Sequence, residues 1–241
     1  MRLRLRADPA GRDGPLLVIP AYFQPGSDPS AWESMAASAA MIRAVILNVA
    51  NGPGRAPSPP HLGSLALLRD AGVLVLGYVD TNYGGRPAGC VLADIERYRR
   101  WYEVGGVCFD RAPAGPRHLE HYAMLASGAR ERGAGYVFFN HGTHPVPDYA
   151  DHADLLGTFE GPWHAYRTLA VPRWVRTREA AKFYHVVHSV PAGCLPMTLR
   201  TAARRNAGCV YATDRDGPNP YDRLPAGLLP GATPGASSRG H

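Results

Sequence analysis

Eight short apolar runs constrain what this chain can become. They fall at residues 16–22, 44–49, 73–80, 106–110, 135–140, 155–160, 183–189 and 209–214. Runs that are apolar on both faces read as strands covered on both sides, the habit of parallel sheets. Between them lie stretches of helical spacing at 30–41, 61–71, 91–103, 117–132 and 196–206, with Asp28 or Ser30 placed to cap the first. A short helical turn is expected near 147–152. A longer helical stretch over 163–181 is interrupted by Pro172. Strand and helix in alternation predict an α/β fold with a parallel sheet. Eight repeats predict closure into a single-domain (β/α)8 barrel. An open doubly wound sheet is the other reading; no G-x-G-x-x-G turn follows any strand and no phosphate-binding G-x-x-x-x-G-K-[ST] loop occurs. The expected boundaries are an N-terminal extension over 1–14, the barrel over 15–226 and a loose tail rich in Gly, Pro, Ala and Ser over 227–241.

Charge and cysteine usage narrow the function classes. The net charge is +6, and Lys182 is the only lysine among the 26 basic residues. The arginines are scattered rather than gathered into a stripe, which argues against a nucleic-acid groove. No run of about 20 apolar residues is present, so no membrane span is expected. The basic N-terminus lacks the apolar region of a signal peptide, so the chain as given reads as cytoplasmic. Cys90, Cys108, Cys194 and Cys209 form no C-x-x-C pair. They read as reduced thiols rather than metal ligands. His185 and His188, three apart on one strand, face opposite ways and do not share a metal. No metal and no cofactor is expected.

In a barrel the chemistry sits at the C-terminal ends of the strands. Read there, the chain offers Tyr22, Asn48, Asp80, Asp110, Asn140, Glu160, His188 and Asp214. This ring of carboxylates, amides and hydroxyls suits the hydroxyl-rich surface of a sugar. Trp32, Tyr83, Trp101, Trp163 and Tyr166 are the flat side chains in reach of it by sequence. Asp110 and Glu160 stand out: each ends an apolar run, and neither is an obvious helix cap. Two carboxylates without a cofactor motif point to glycoside hydrolysis, with one acid protonating the leaving oxygen and the other acting as base or nucleophile. Two strands apart, their backbones are about 10 Å from each other. Side chains from there reach either the retaining or the inverting separation, so stereochemistry stays open.

Several segments resemble the spherulation-specific (spherulin-4-like) family. They are residues 46–54 (Ile-Leu-Asn-Val-Ala-Asn-Gly-Pro-Gly), 77–84 (Gly-Tyr-Val-Asp-Thr-Asn-Tyr-Gly), 94–102, 106–110, 140–143, Phe159-Glu160 and 211–214. In order, they run from about Pro20 to Leu224. The resemblance implies a (β/α)8 barrel and endo-acting hydrolysis of α-1,4-linked galactosamine or N-acetylgalactosamine polymers, the galactosaminogalactan of fungal biofilms. It implies that Asp110 and Glu160 fall on the family's acidic positions in the cleft. Tyr22, Asn48, Tyr78, Asp80, Tyr83, Asn140, His188 and Asp214 are the residues expected to meet the carbohydrate. Family members are often secreted. Two departures stand out: His141 replaces a proline, and Arg111 occupies the position of a second acid. A cation beside Asp110 is expected to lower its pKa and favour the charged form, leaving Glu160 as the acid. A non-hydrolytic carbohydrate-binding barrel and a barrel recruited to other intracellular chemistry remain as alternatives. Oligomeric state is not legible.

Overall fold

The computed structural model of the chain describes residues 14–230. Eight strands form one closed parallel barrel in sequence order: β1 (Leu16–Ala21), β2 (Ile42–Leu47), β3 (Val75–Asp80), β4 (Gly106–Asp110), β5 (Tyr136–Asn140), β6 (Leu155–Pro162), β7 (Phe183–His188) and β8 (Cys209–Ala212). β1 pairs with β8 to close the ring. Among the described residues seven α-helices pack outside: α1 (Pro29–Ala37), α2 (Pro59–Asp70), α3 (Ala88–Tyr102), α4 (Leu119–Glu131), α5 (Trp163–Arg167), α6 (Arg173–Arg176) and α7 (Leu195–Arg204). The fold is a (β/α)8 barrel. The open doubly wound sheet is excluded by the β1–β8 pairing.

Strand alternation separates core from site. On β4, Phe109 faces outward onto Phe139, which in turn meets Tyr122 of α4. Cys108 and Asp110 face inward, where Ile46, Tyr184 and Val186 share their hollow. Packing between layers is close. A Cβ on Gly77 of β3 would come within 2.5 Å of the Tyr98 ring of α3. The Tyr98 hydroxyl donates to the Leu47 carbonyl at 2.9 Å, tying α3 to β2 as well.

Several boundaries differ from the sequence reading. α1 stops at Ala37, a 3-10 turn fills Ala39–Met41, and β2 starts at Ile42. Asp28, rather than Ser30, caps α1 by accepting from the Ala31 N–H at 3.1 Å. The stretch 163–181 is interrupted at Pro172, as expected. It breaks into α5, α6 and a turn at Ala180–Lys182, because Pro172 cannot donate into a continuing helix and instead caps α6. β8 ends at Ala212, which leaves Asp214 in the following loop. β6 runs past Glu160 to Pro162, with a register shift against β7 between Gly157 and Phe159. Leu228 and Leu229 are buried in the core, so the packed chain extends beyond the expected boundary at 226. The rest of the expected tail, 231–241, and residues 1–13 of the expected extension lie outside the described residues. Among the described residues no helix is long and apolar enough to cross a membrane.

Candidate active site

Neighbouring strand ends bring three polar side chains together at the mouth of the barrel. β4 delivers Asp110, β5 delivers Asn140, and the bulged β6 delivers Glu160. The bulge re-aims the strand, so that Glu160 points into the mouth while Gly161 and Pro162 stay paired to β7. Asn140 Nδ2 donates to Asp110 Oδ1 at 2.7 Å and to Glu160 Oε2 at 2.7 Å. One amide group therefore spans both carboxylates, and the two oxygens it holds are no farther apart than twice 2.7 Å. Each acid has a tyrosine as well. The Tyr78 hydroxyl donates to Asp110 Oδ2 at 2.9 Å, and the Tyr221 hydroxyl donates to Glu160 Oε1 at 2.6 Å. Tyr22 stands edge-on between these rings, 5.3 Å from Tyr78 and 5.6 Å from Tyr221.

The hollow against the acids is small, about 70 Å³. Beside it opens a wider cleft of about 330 Å³, walled by Tyr22, Tyr78 and Tyr221 and edged by Gln24, Asn48, Asn51 and Asn219. The cleft edge carries amides and no charge. Burial pushes the Asp110 carboxyl upward from its ordinary value, and the nearby Glu160 charge adds to the rise. The hydrogen bonds from Asn140 and Tyr78 act in the opposite direction. Burial also raises Tyr78 and Tyr221, with the adjoining carboxylates contributing, so both stay protonated donors.

Arg111 does not act on Asp110 as expected. Its backbone is left-handed, with φ of 54°, and turns the side chain away along the rim. There its guanidinium donates to Asp80 Oδ2 at 3.1 Å and Asn82 Oδ1 at 2.6 Å, and lies 5.1 Å from the centre of the Tyr83 ring. The cation is spent on Asp80, and Asp110 is raised rather than lowered. Asp80 also accepts from the Asn82 N–H at 2.7 Å. Left-handed non-glycine residues recur in the loops after β2, β3, β4 and β7, at Asn51, Asn82, Tyr83, Arg111 and Ser189. Such backbone concentrates where a scaffold holds a site.

Of the residues expected from sequence, Asp110, Glu160, Asn140, Tyr78 and Tyr22 come together. Asn48 reaches the outer cleft, where its side chain accepts from the Gly52 N–H at 3.0 Å and fixes the turn after β2. Asp80 and Tyr83 sit on the Arg111 rim. His188 is half-buried, bonded to Ser189 Oγ at 3.0 Å, and lines neither hollow. Asp214 is exposed beyond β8 and lines neither hollow. Trp32 and Tyr166 are core residues, packed on Phe23 and Phe159 respectively. His185 faces away from the mouth, its Nδ1 2.9 Å from the Tyr166 hydroxyl. Sequence reasoning missed Tyr221. The available signal was its position in the proline-flanked loop after β8, on the face where barrel sites form. Among the described residues no disulfide joins the four cysteines, and no three His, Cys, Asp or Glu side chains are grouped to hold a metal.

Comparison with known proteins places the chain. The sequence pattern of spherulation-specific family 4 matches residues 16–229. Over 213 residues the chain is 30% identical to Spherulin-4 of Physarum polycephalum. That alignment covers 82% of this chain and 63% of the relative, so the chain spans less than two thirds of that protein's length. Among solved structures, Aspergillus clavatus Sph3, crystallised in complex with GalNAc, superposes with a TM-score of 0.77 at 22% identity, covering 88% of this chain and 94% of Sph3. Deoxyribose phosphate aldolase of Aeropyrum pernix gives 0.52 at 12% identity, covering 83% of this chain and 84% of the aldolase. At those identities the likeness is one of fold. The match over nearly the whole barrel and the 30% relative agree: the chain belongs to spherulation-specific family 4.

Proposed function

We propose that the chain is a glycoside hydrolase that cuts within α-1,4-linked galactosamine or N-acetylgalactosamine polymers, with Asp110 and Glu160 as its carboxylate pair. The observation that carries this reading is the single Asn140 amide bonded to both acids, which sets their spacing. Retaining glycosidases hold the two carboxyls about 5–5.5 Å apart and inverting ones about 6.5–9.5 Å. The nearest oxygens of the pair lie within twice 2.7 Å of each other, and this closeness supports the first class. Family membership and the GalNAc held by Sph3 support an amino sugar as substrate.

The roles follow from the environments. Burial raises the Asp110 carboxyl, and on that ground Asp110 takes the acid's role that the sequence reading gave to Glu160. It protonates the glycosidic oxygen as the C1–O bond breaks, while Glu160 attacks C1 and forms the glycosyl ester. Water then attacks C1, gives its proton back to Asp110, and frees Glu160. Tyr22 and Tyr221 present apolar ring faces, and the cleft amides present donors and acceptors to hydroxyls and an N-acetyl group. The test is reducing-end release from acetylated and deacetylated α-1,4-galactosaminogalactan. Wild type is expected to release ends, and Asp110→Asn and Glu160→Gln are each expected to lower the rate on the order of 10²–10⁴-fold. Unchanged rates in both variants would overturn the assignment.

A second reading, a non-hydrolytic sugar-binding barrel, is favoured by one observation. The 70 Å³ hollow at the acids has room for about two waters. A sugar ring enters it only if Tyr22 or Tyr221 moves. Retained polymer binding with no end release from wild type would select this reading.

A further inference from the structure

Asn140 was expected from the sequence to meet the sugar. Its hydrogen bonds give it other work. Both hydrogens of Nδ2 are committed to protein carboxylates, and its Oδ1 is buried without a partner. An amide in this state has nothing left to offer a hydroxyl. The orientation is enforced chemically and sterically. Turned over, the amide would set a lone pair against two carboxylates. As it stands, Oδ1 rests over Gly157, the residue paired with Asn140 across β5 and β6. A Cβ at Gly157 would lie 2.1 Å from Oδ1, so any larger residue would displace the side chain. Gly157 also sits at the β6 bulge that re-aims Glu160.

We infer that Asn140, seated on Gly157, is a positioning residue that fixes the spacing of Asp110 and Glu160. The inference rests on the hydrolase reading for its kinetic part only. The bridge restrains both carboxylates through one rigid planar group, so their separation does not depend on two independent rotamers. It also stabilises the charged form of Asp110, opposing the rise caused by burial. The other titratable groups facing the pair are Tyr22, Tyr78, Cys108, Tyr184 and Tyr221, all raised by burial and neutral across the working pH range. Asp80 is tied up with Arg111 on the rim.

The test uses two variants and two readouts. Asn140→Ala removes the bridge; Gly157→Ala keeps the amide and moves it. Both are expected to lower kcat on the order of 10²-fold, the scale of an ångström of misplacement. KM for the polymer should change little, because no contact to substrate is removed. In Asn140→Ala the alkaline limb of the pH–rate profile should move to higher pH, since Asp110 loses a donor to its charged form. A raised KM with kcat and the alkaline limb unmoved would make Asn140 a sugar ligand and overturn the inference. The second readout needs no substrate: ¹³C NMR titration of the Asp110 carboxyl, identified by its absence from Asp110→Asn. An upward shift in Asn140→Ala is expected, and identical titration in wild type and variant would overturn the bridge. If wild type releases no reducing ends, the hydrolase reading falls, and this titration still decides the role of Asn140.

Discussion

At the scale of single residues, the site turns on how burial and hydrogen bonding divide between two acids. Asp110 was legible in sequence as an abrupt end to an apolar run, and the exchange of an acid for Arg111 was equally visible. What the cation does was not legible, because it depends on a left-handed residue that sends the side chain toward Asp80. The raised Asp110 carboxyl has a consequence for stability. Below the ordinary carboxylate value both folded and unfolded chains carry the proton. As pH rises past about 4, the unfolded chain ionises first, and the folded state loses stability until Asp110 also ionises. Asp110→Asn lacks this loss. Its stability relative to wild type should therefore grow from about pH 4 toward neutrality, by about 1.4 kcal/mol for each pKa unit of the shift. Urea unfolding at several pH values checks this, and a difference that does not vary with pH would refute it.

At the scale of elements, glycine decides how closely the layers approach. Gly77 lies under the Tyr98 ring, so Gly77→Ala forces α3 off β3. The expected cost is about 1–3 kcal/mol, seen as a lower urea midpoint. Gly89→Ala, near the start of the same helix, meets nothing within 4 Å and should be neutral or slightly stabilising. Equal effects at the two positions would show that close packing of α3 is not what Gly77 provides. The sequence reading of elements succeeded where periodicity was long and stops were sharp. It placed the interruption of 163–181 at Pro172 correctly, and it failed at β6, where a bulge has no local signature. That bulge shapes the site, because it aims Glu160, two strands from Asp110, at the Asn140 amide that Asp110 also holds. Tyr221 was missed for the same reason: it meets Glu160 across 61 residues of sequence, through a loop path that no local pattern encodes.

At the scale of the molecule, eight apolar runs sufficed to predict the closed barrel, and the strand-end rule brought the acids, Asn140 and Tyr22 into one list; Tyr78, two residues before the end of β3, lay outside that rule. Register and loop path did the rest. β5–β6 pairing sets Asn140 over Gly157, and the loop after β8 folds Tyr221 onto the mouth. His188 and Asp214 sat at strand ends in sequence and yet line neither hollow, because β8 ends two residues early and His188 bonds to Ser189. The spacing of Asp110 and Glu160 and the proposed reaction meet in one measurement. ¹H NMR of freshly cleaved α-1,4-galactosaminogalactan reads the anomer released before mutarotation. Initial release of the α anomer is predicted, since the proposed double displacement through Glu160 retains the α configuration. Initial release of the β anomer would contradict the roles given to the pair, and no release from the folded chain would contradict the hydrolase itself.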